Sequence, residues 1–305
     1  MRYLVTGAGG FVGSHLHDAL RAEGNEVVGT GRTAGPGLFA CDMRDPDAVE
    51  RAVERARPER VFHLAAQSSA GRSWTEPALT YEVNVTGSHY LLDALRRRAP
   101  DARVLLACTS DEYGAVAPEQ CPVDETVPLR PLSPYAASKV ATEWVGRMFH
   151  AAFDMQIVIT RAFMHIGAGQ PPRFATADWA RQVALAERGE RGPVIEVGNL
   201  ELRRELGDVR DVVDAYRAAI EHGRPGESYN VATGRAPSLK EALDILLSRA
   251  TVPLEAKVDP SKIRPADPPV LQGSAAKLES LTGWRPKRRL EDTLAEVLDY
   301  WRAAG

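Results

Sequence analysis

The sequence predicts an α/β fold: a doubly wound parallel sheet flanked by helices, with a smaller C-terminal unit beside it. Three observations predict this. Short apolar, β-branched runs alternate with segments of helical spacing through the first half of the chain. The first run ends in a glycine-rich turn that opens straight into a helix. The chain has 305 residues, 44% of them apolar, enough for one large or two intimate domains around a substantial core.

Taken in order, strand signals lie at Tyr3–Thr6, Glu26–Thr30, Arg60–Leu64, Arg103–Cys108 and Gln156–Arg161. Helical patterns fill the gaps near 12–23, 46–56, 78–98 and 135–151. This is the βαβ repeat of a Rossmann-type sheet, which binds its ligand at the carboxyl ends of the strands. Thr6, Thr30, Leu64, Thr109 and Arg161 fall at those ends. The first turn reads Thr6-Gly7-Ala8-Gly9-Gly10-Phe11-Val12-Gly13. Gly7 allows a tight turn, Gly10 lets a pyrophosphate reach the backbone, and Gly13 lets helix and strand pack closely. A glycine-rich turn alone says little. With a strand before it and a helix after it, it predicts dinucleotide binding at the helix start, Phe11 and Val12 included.

After the second strand the chain reads Val28-Gly29-Thr30-Gly31-Arg32-Thr33. An NAD(H) site wants a carboxylate here for the ribose 2′-hydroxyl, and there is none. Arg32 offers a charge-assisted fork to a 2′-phosphate instead, which favours NADP(H) over NAD(H). The plainer reading of Arg32 is a solvated loop residue.

Beyond about residue 165 the pattern changes. Gly167–Pro172 is a loop, followed by a helix near 174–188, a strand at Val194–Gly198, a helix at Asp208–Glu221 and a strand at Ser228–Ala232. The last two are expected to rejoin the sheet. A helix near 238–249, a strand near 254–258, a Pro-rich loop and a final amphipathic helix complete the chain. The expected division is a dinucleotide-binding domain of residues 1–165, rejoined by 208–235, and a substrate-binding domain of residues 166–207 and 236–305.

The chemistry is concentrated in Tyr135-Ala136-Ala137-Ser138-Lys139, with Thr109 upstream in Leu105-Leu106-Ala107-Cys108-Thr109-Ser110. A phenol titrates near about pH 10, too high for acid–base work at neutrality. A lysine four residues on lies on the same helix face, where its ammonium favours phenolate and is expected to lower the Tyr135 pKa. Thr109 can hold a substrate oxygen against the phenol. Taken alone, Tyr-x-x-x-Lys is an ordinary surface pair; the glycine turn changes its weight.

Bulk properties exclude other classes. The net charge of −3 argues against nucleic acid as the main partner. No apolar run approaches a membrane span, and the initial methionine leads directly into a strand without a signal peptide. Cys41, Cys108 and Cys121 lack metal-ligand spacing, and their odd number fits a reducing compartment. A cytoplasmic protein is expected.

These residues resemble the extended short-chain dehydrogenase/reductase family, the nucleotide-sugar epimerases, dehydratases and reductases. The resemblance spans the whole chain. It rests on the first glycine turn, His63-Leu64-Ala65-Ala66, Asn84 in Val83-Asn84-Val85-Thr86-Gly87, Thr109 ahead of Tyr113-Gly114, Ser133-Pro134-Tyr135-Ala136-Ala137-Ser138-Lys139, Asp208-Val209-Arg210-Asp211 and Tyr229-Asn230-Val231. Within the family the chain is similar to the GDP-6-deoxy-D-mannose reductases in Ala65-Ala66-Gln67-Ser68-Ser69 with Ser73-Trp74, the acidic pair before Tyr113, His165-Ile166-Gly167-x-Gly169-Gln170, Val197-Gly198-Asn199-Leu200-Glu201 and Arg264-Pro265-x-Asp267. It departs from that group at Met164, where Asn is usual, at Ala168 in place of Pro, and at Arg204-Glu205-Leu206-Gly207-Asp208-Val209 in place of Arg-Asp-Phe-Thr-Asp-Val.

The resemblance implies reduction of the 4-keto group of a nucleotide 6-deoxy-hexose, GDP-4-keto-6-deoxy-D-mannose to GDP-D-rhamnose, by NADP(H), with NAD(H) as the alternative. Tyr135 supplies the proton, Lys139 also binds the nicotinamide ribose, and Thr109 bonds the reacting oxygen. Leu64, Ala65 and Ala66 line the cofactor, and Asp42 with Met43 contacts adenine, unless Asp42 is a turn or cap residue. Ser69, Trp74, Met164, Gln170, Arg204, Arg264 and Asp267 line the substrate, the two arginines facing the diphosphate. The plain alternatives are solvated arginines and a core Trp74. The nearest rival is a 4,6-dehydratase, with Asp111 and Glu112 as the acid–base candidates and Asp111 where dehydratases carry Glu. An epimerase with trapped NAD⁺ and a non-catalytic dinucleotide sensor are further rivals. The family also implies a homodimer through the helices near 78–98 and 135–151, with Tyr90, Leu91, Leu95, Trp144 and Met148 on the pairing face.

Overall fold

A computed structural model describes residues 1–263 and 268–304. Its centre is a seven-stranded, wholly parallel sheet of β1 (Arg2–Thr6), β2 (Glu26–Gly31), β3 (Leu38–Ala40), β4 (Arg60–His63), β5 (Arg103–Thr109), β6 (Ile157–Ala162) and, from much later in the chain, Ser228–Val231. In space the order is β3-β2-β1-β4-β5-β6 followed by that late strand. The chain runs outward from β1 to β3, then returns to lay β4 on the other side of β1, so the β1/β4 gap is the point where the strand order reverses. All five predicted strands of the first half are present. The expectation that 228–232 rejoins the sheet also holds, with Ser228 to Val231 paired against Ile159 to Ala162.

Strand alternation sends side chains to two apolar layers. Leu4, Val61, Leu106 and Ile159 meet α2 (Pro46–Ala56), α5 (Gly87–Arg98) and α6 (Pro134–Phe153) on one face. Tyr3, Val5, Phe62, Leu105 and Val158 meet α1 (Phe11–Ala22) and α8 (Val209–His222) on the other. A third cluster gathers Ile166, Trp179, Ile195, Leu206, Leu243 and Leu298, from α7 (Ala175–Glu187), α9 (Leu239–Leu247), α11 (Leu290–Ala303) and the strands beside them.

The helix expected over 78–98 is present as one run, made of α4 (Pro77–Tyr81), a π-helical turn at Glu82–Thr86 and α5, and it is preceded by an unforeseen short α3 (Ala70–Thr75). The expected pairing face is corrected. Leu91 and Leu95 are fully buried in the core between α5 and α2, so they are closed to a partner. Tyr90 packs partly against the same core, while Trp144 and Met148 stand 63% and 49% exposed. No helix among the described residues is long and apolar enough to cross a membrane.

Candidate active site

At the β1/β4 gap the two strand ends nearly touch. Gly7 has φ +74°, and a Cβ there would lie 2.7 Å from the Ala65 backbone nitrogen. A Cβ at Gly13 would run into the Gly7 carbonyl oxygen, so the start of α1 is pressed against the turn. Gly10 is the extended N-cap of α1, and no side chain caps it. The first-turn N–H groups around Phe11, Val12 and Gly13 are thereby left for an anion, which the helix dipole also favours. This cradle fits a dinucleotide pyrophosphate.

The gap is pinned by polar contacts. His63 lies between Thr6 (Oγ1 to Nδ1, 2.7 Å) and Ser88 (Nε2 to Oγ, 2.8 Å). Burial, then the nearby Lys139 charge, pushes the His63 pKa down to about 3, so the imidazole is neutral. The Ala65 N–H donates to Thr6 Oγ1 at 3.3 Å. Leu64, Ala65 and Ala66 follow, half-buried, along the gap.

Arg32 stands exposed one residue beyond β2. Asp42, half-buried, is held by Arg44, whose Nη2 donates to Oδ2 at 2.6 Å. Hydrogen bonding from Arg44 lowers the Asp42 pKa. Asp42 is not the helix cap; Asp45 caps α2, accepting from the Asp47 and Ala48 N–H groups. Met43 is buried against Gly87, whose Cβ would come 2.7 Å from Met43 Cβ.

Asn84, absent from the expected site residues, has a clear structural task. Within the π-turn it accepts from the Gln67 N–H (2.8 Å) and donates to the Gln67 carbonyl (3.1 Å) and to Ser138 Oγ (2.8 Å). It thus ties the loop after β4 to α6, the helix carrying Tyr135 and Lys139. A π-turn exposes such backbone and side-chain groups to neighbours, and it often marks a functional site. The available signal was Asn84 in the Val83-Asn84-Val85-Thr86-Gly87 stretch that carries the family resemblance.

Thr109 ends β5 and Tyr135 opens α6, with the Thr109 hydroxyl near enough to the phenol to favour its ionised form. Thr109 Oγ1 also accepts from the Asp111 N–H at 3.2 Å. Lys139 lies one turn along α6 and is 5% exposed. The expectation that Lys139 lowers the Tyr135 pKa is corrected: it is raised. Burial is the largest cause and the Asp111 carboxylate the next, while the Thr109 hydroxyl opposes them. Desolvation and a facing carboxylate set the direction. Asp111 is exposed, whereas Glu112, one residue on, is fully buried. The two members of the acidic pair therefore face different surroundings.

The substrate candidates are spread around the same edge. Ser69 caps α3 by accepting from the Arg72 N–H at 3.2 Å. Trp74 is 64% exposed, so it does not fill core. The Met164 carbonyl accepts from Gly207 at 3.0 Å, and its side chain is exposed. Gln170 is buried and donates to the His165 carbonyl at 2.9 Å, which makes it a brace of its own loop. Arg204 is half-buried on the short strand Arg203–Arg204. Arg264 and Asp267 lie outside the described residues. The loop and the cofactor turn are in contact: Phe11 stacks on His165 (6.1 Å between ring centres), and His15 Nε2 donates to the Ala168 carbonyl at 2.9 Å.

The profile of the GDP-mannose 4,6 dehydratase family matches residues 4–297. A GDP-6-deoxy-D-mannose reductase of Pseudomonas aeruginosa is 33% identical over 99% of this chain and 97% of its own length. Two solved structures superpose over the whole of both chains: RMD from Pseudomonas aeruginosa complexed with NADPH, at a TM-score of 0.91 and 32% identity, and the UDP-glucose 4-epimerase of Thermus thermophilus in complex with NAD, at 0.90 and 33%. With the glycine cradle, the Thr109–Tyr135–Lys139 set and a match over nearly its full length, this chain belongs to the GDP-mannose 4,6-dehydratase family.

Proposed function

We propose that the protein reduces the 4-keto group of a nucleotide-activated 6-deoxy-hexose with NADPH, its substrate being GDP-4-keto-6-deoxy-D-mannose and its product GDP-D-rhamnose. The observation that carries the choice of reaction is the split of the acidic pair. A 4,6-dehydratase needs an acid–base pair to take the C5 proton and expel the C6 hydroxyl. Here Glu112 is buried away, and only the short Asp111 is left beside Tyr135. A reductase needs neither.

When bound, the nicotinamide supplies the hydride. The glycine turn would hold its pyrophosphate, Lys139 the ribose next to the nicotinamide, and Arg32 the 2′-phosphate. Tyr135 Oη–H gives its proton to the oxygen on C4, and the O–H electron pair stays on the phenolate. Thr109 donates to the same region and stabilises the charge that develops there. On this reading Ser69, Trp74 and Met164 border the hexose with Gln170 bracing the loop behind them, and Arg204 serves the nucleotide end, a role the family resemblance also gives Arg264 and Asp267. NADP(H) is supported by Arg32 and by the NADPH-bound neighbour, with NAD(H) as the alternative.

We assign cofactor binding to residues 1–165 with 208–235, and substrate binding to 166–207 with 236–305. The third apolar cluster, drawn from both later stretches, supports that division. Trp144 and Met148 on the outer side of α6 support a homodimer, and we place the protein in the cytoplasm.

The test is stoichiometry. NADPH consumed one for one with GDP-4-keto-6-deoxy-D-mannose is expected; binding without turnover would leave a dinucleotide sensor.

A further inference from the structure

Under the turn carrying Asp111, two carboxyl groups share one guanidinium. Glu112 is 0% exposed, Glu143 1% and Arg161 4%. Glu143 takes one edge of the guanidinium in a bidentate pair: Arg161 Nε donates to Oε2 at 2.9 Å and Nη2 to Oε1 at 2.8 Å. Glu143 Oε1 accepts further from Arg147 Nη2 at 2.9 Å and Ser228 Oγ at 3.0 Å. Glu112 is left with Arg161 Nε at 3.5 Å, and neither of its oxygens has a hydrogen-bond partner.

The other groups facing Glu112 do not repair this. Cys108 on β5 is a weak donor, and its thiol points to the Lys139 carbonyl at 3.6 Å. Tyr113, on the same turn, gives its hydroxyl hydrogen to Asn230 Oδ1 at 2.7 Å and accepts from Arg161 Nη1 at 3.1 Å. Lys139 on α6 acts on Glu112 through space, as Glu143 does with the opposite sign. Glu125 gives Arg161 Nη1 only a backbone carbonyl, at 3.4 Å. The Cys108 sulfur and the two carboxylates lie within 4.8 Å of one another, but the cation of this cluster is Arg161. A buried carboxylate without hydrogen bonds is costly, and its cheapest relief is a proton. Burial, then the Glu143 charge, pushes the Glu112 pKa up to about 8.

Asp111, Cys108 and Glu112 all act to raise the Tyr135 pKa. A charge on Glu112 therefore reaches the phenol. Resting on the reading of Tyr135 as proton donor, we propose that Glu112 is a positioning residue, a carboxyl carried as the neutral acid so that no second negative charge opposes the phenolate forming on Tyr135. When the Tyr135 proton passes to the substrate oxygen, the phenolate left behind faces Asp111 alone. Ionised Glu112 would add a second opposing charge, and the step would slow.

The linkage has a definite sign. The folded state holds a proton on Glu112 that an unfolded chain releases in the ordinary carboxylate range. Stability from the neutral carboxyl is complete below that range and is lost as the pH rises through about 8.

Three readouts on the full chain test this. E112Q mimics the neutral acid, and Glu112→Met is a second neutral variant if the amide misfolds. Denaturant midpoints of the wild type should fall relative to E112Q as the pH rises from about 5 to about 8. An infrared difference spectrum should contain a protonated-carboxyl band that E112Q lacks. The alkaline fall in kcat should begin at least about one pH unit higher in E112Q. The first two need no substrate, so they stand apart from the choice of sugar. Parallel stability curves, no band removed by the substitution, or coincident kcat profiles in the two proteins would each overturn the proposal.

Discussion

Arg32→Ala separates the two forms of the cofactor. The guanidinium stands exposed just beyond Gly31, where the end of β2 has no carboxylate to meet a ribose hydroxyl. The Asp42 carboxylate feels the Arg32 charge but is already clamped by Arg44 at 2.6 Å. Arg32 is therefore not consumed by that carboxylate. A hydrogen bond to a charged group contributes about 1.5–3 kcal/mol. Exposure lowers that toward roughly 1–2 kcal/mol, by the same screening that weakens surface ion pairs. At about 1.4 kcal/mol per tenfold, Arg32→Ala should weaken NADPH binding roughly 5–30-fold and leave NADH nearly unchanged. Fluorescence titration of both nucleotides measures it. A second signature is salt: an exposed contact is screened over about 8 Å at physiological ionic strength, so the wild-type preference for NADPH should narrow as salt rises. Equal affinities for the two nucleotides in both proteins, or an equal loss for both, would refute the reasoning.

Four further outcomes are expected. Tyr135→Phe should abolish turnover while NADPH affinity stays nearly intact, and Lys139→Met should lose both; a Tyr135→Phe enzyme with wild-type kcat would remove the phenol from the mechanism. Asp111→Asn should keep most of the 4-keto reduction, because a required acid–base group would instead cost roughly 10²–10⁴ in rate. Trp144→Glu should drive a dimer toward monomer in light scattering, since it charges the exposed face of α6; a monomeric wild type at micromolar concentration counts against the dimer.

Much of the fold was readable because the governing patterns are local. Each strand of the first half is an apolar run with its own helix behind it, and the glycine turn names the strand end that must approach Ala65. What escaped was short or depended on distant partners. The strand Leu38–Ala40 has three residues, too few for a period, and exists because Gly29 to Gly31 offer it an edge. The helix Ala70–Thr75 contains Gly71 and spans under two turns. The face of α5 carrying Leu91 and Leu95 was legible as apolar, but not that α2 covers it. The fates of Asp111 and Glu112 were hidden for a geometric reason. Both sit in a 3₁₀ turn, which rotates each side chain about a third of a circle from the last. One therefore reaches the site and the other goes to Arg161, which sequence position alone cannot tell.

Hydride delivery to C4 of a 4-keto hexose, with Tyr135 as the proton source, can be followed with NADPH carrying deuterium at the transferable nicotinamide position. Incubated with GDP-4-keto-6-deoxy-D-mannose, the protein should yield GDP-D-rhamnose with a single deuterium at hexose C4, seen by NMR, and none in the Tyr135→Phe protein. Formation of the 4-keto sugar from GDP-mannose with only catalytic cofactor, abolished by Asp111→Asn, would contradict the account and make the protein a dehydratase.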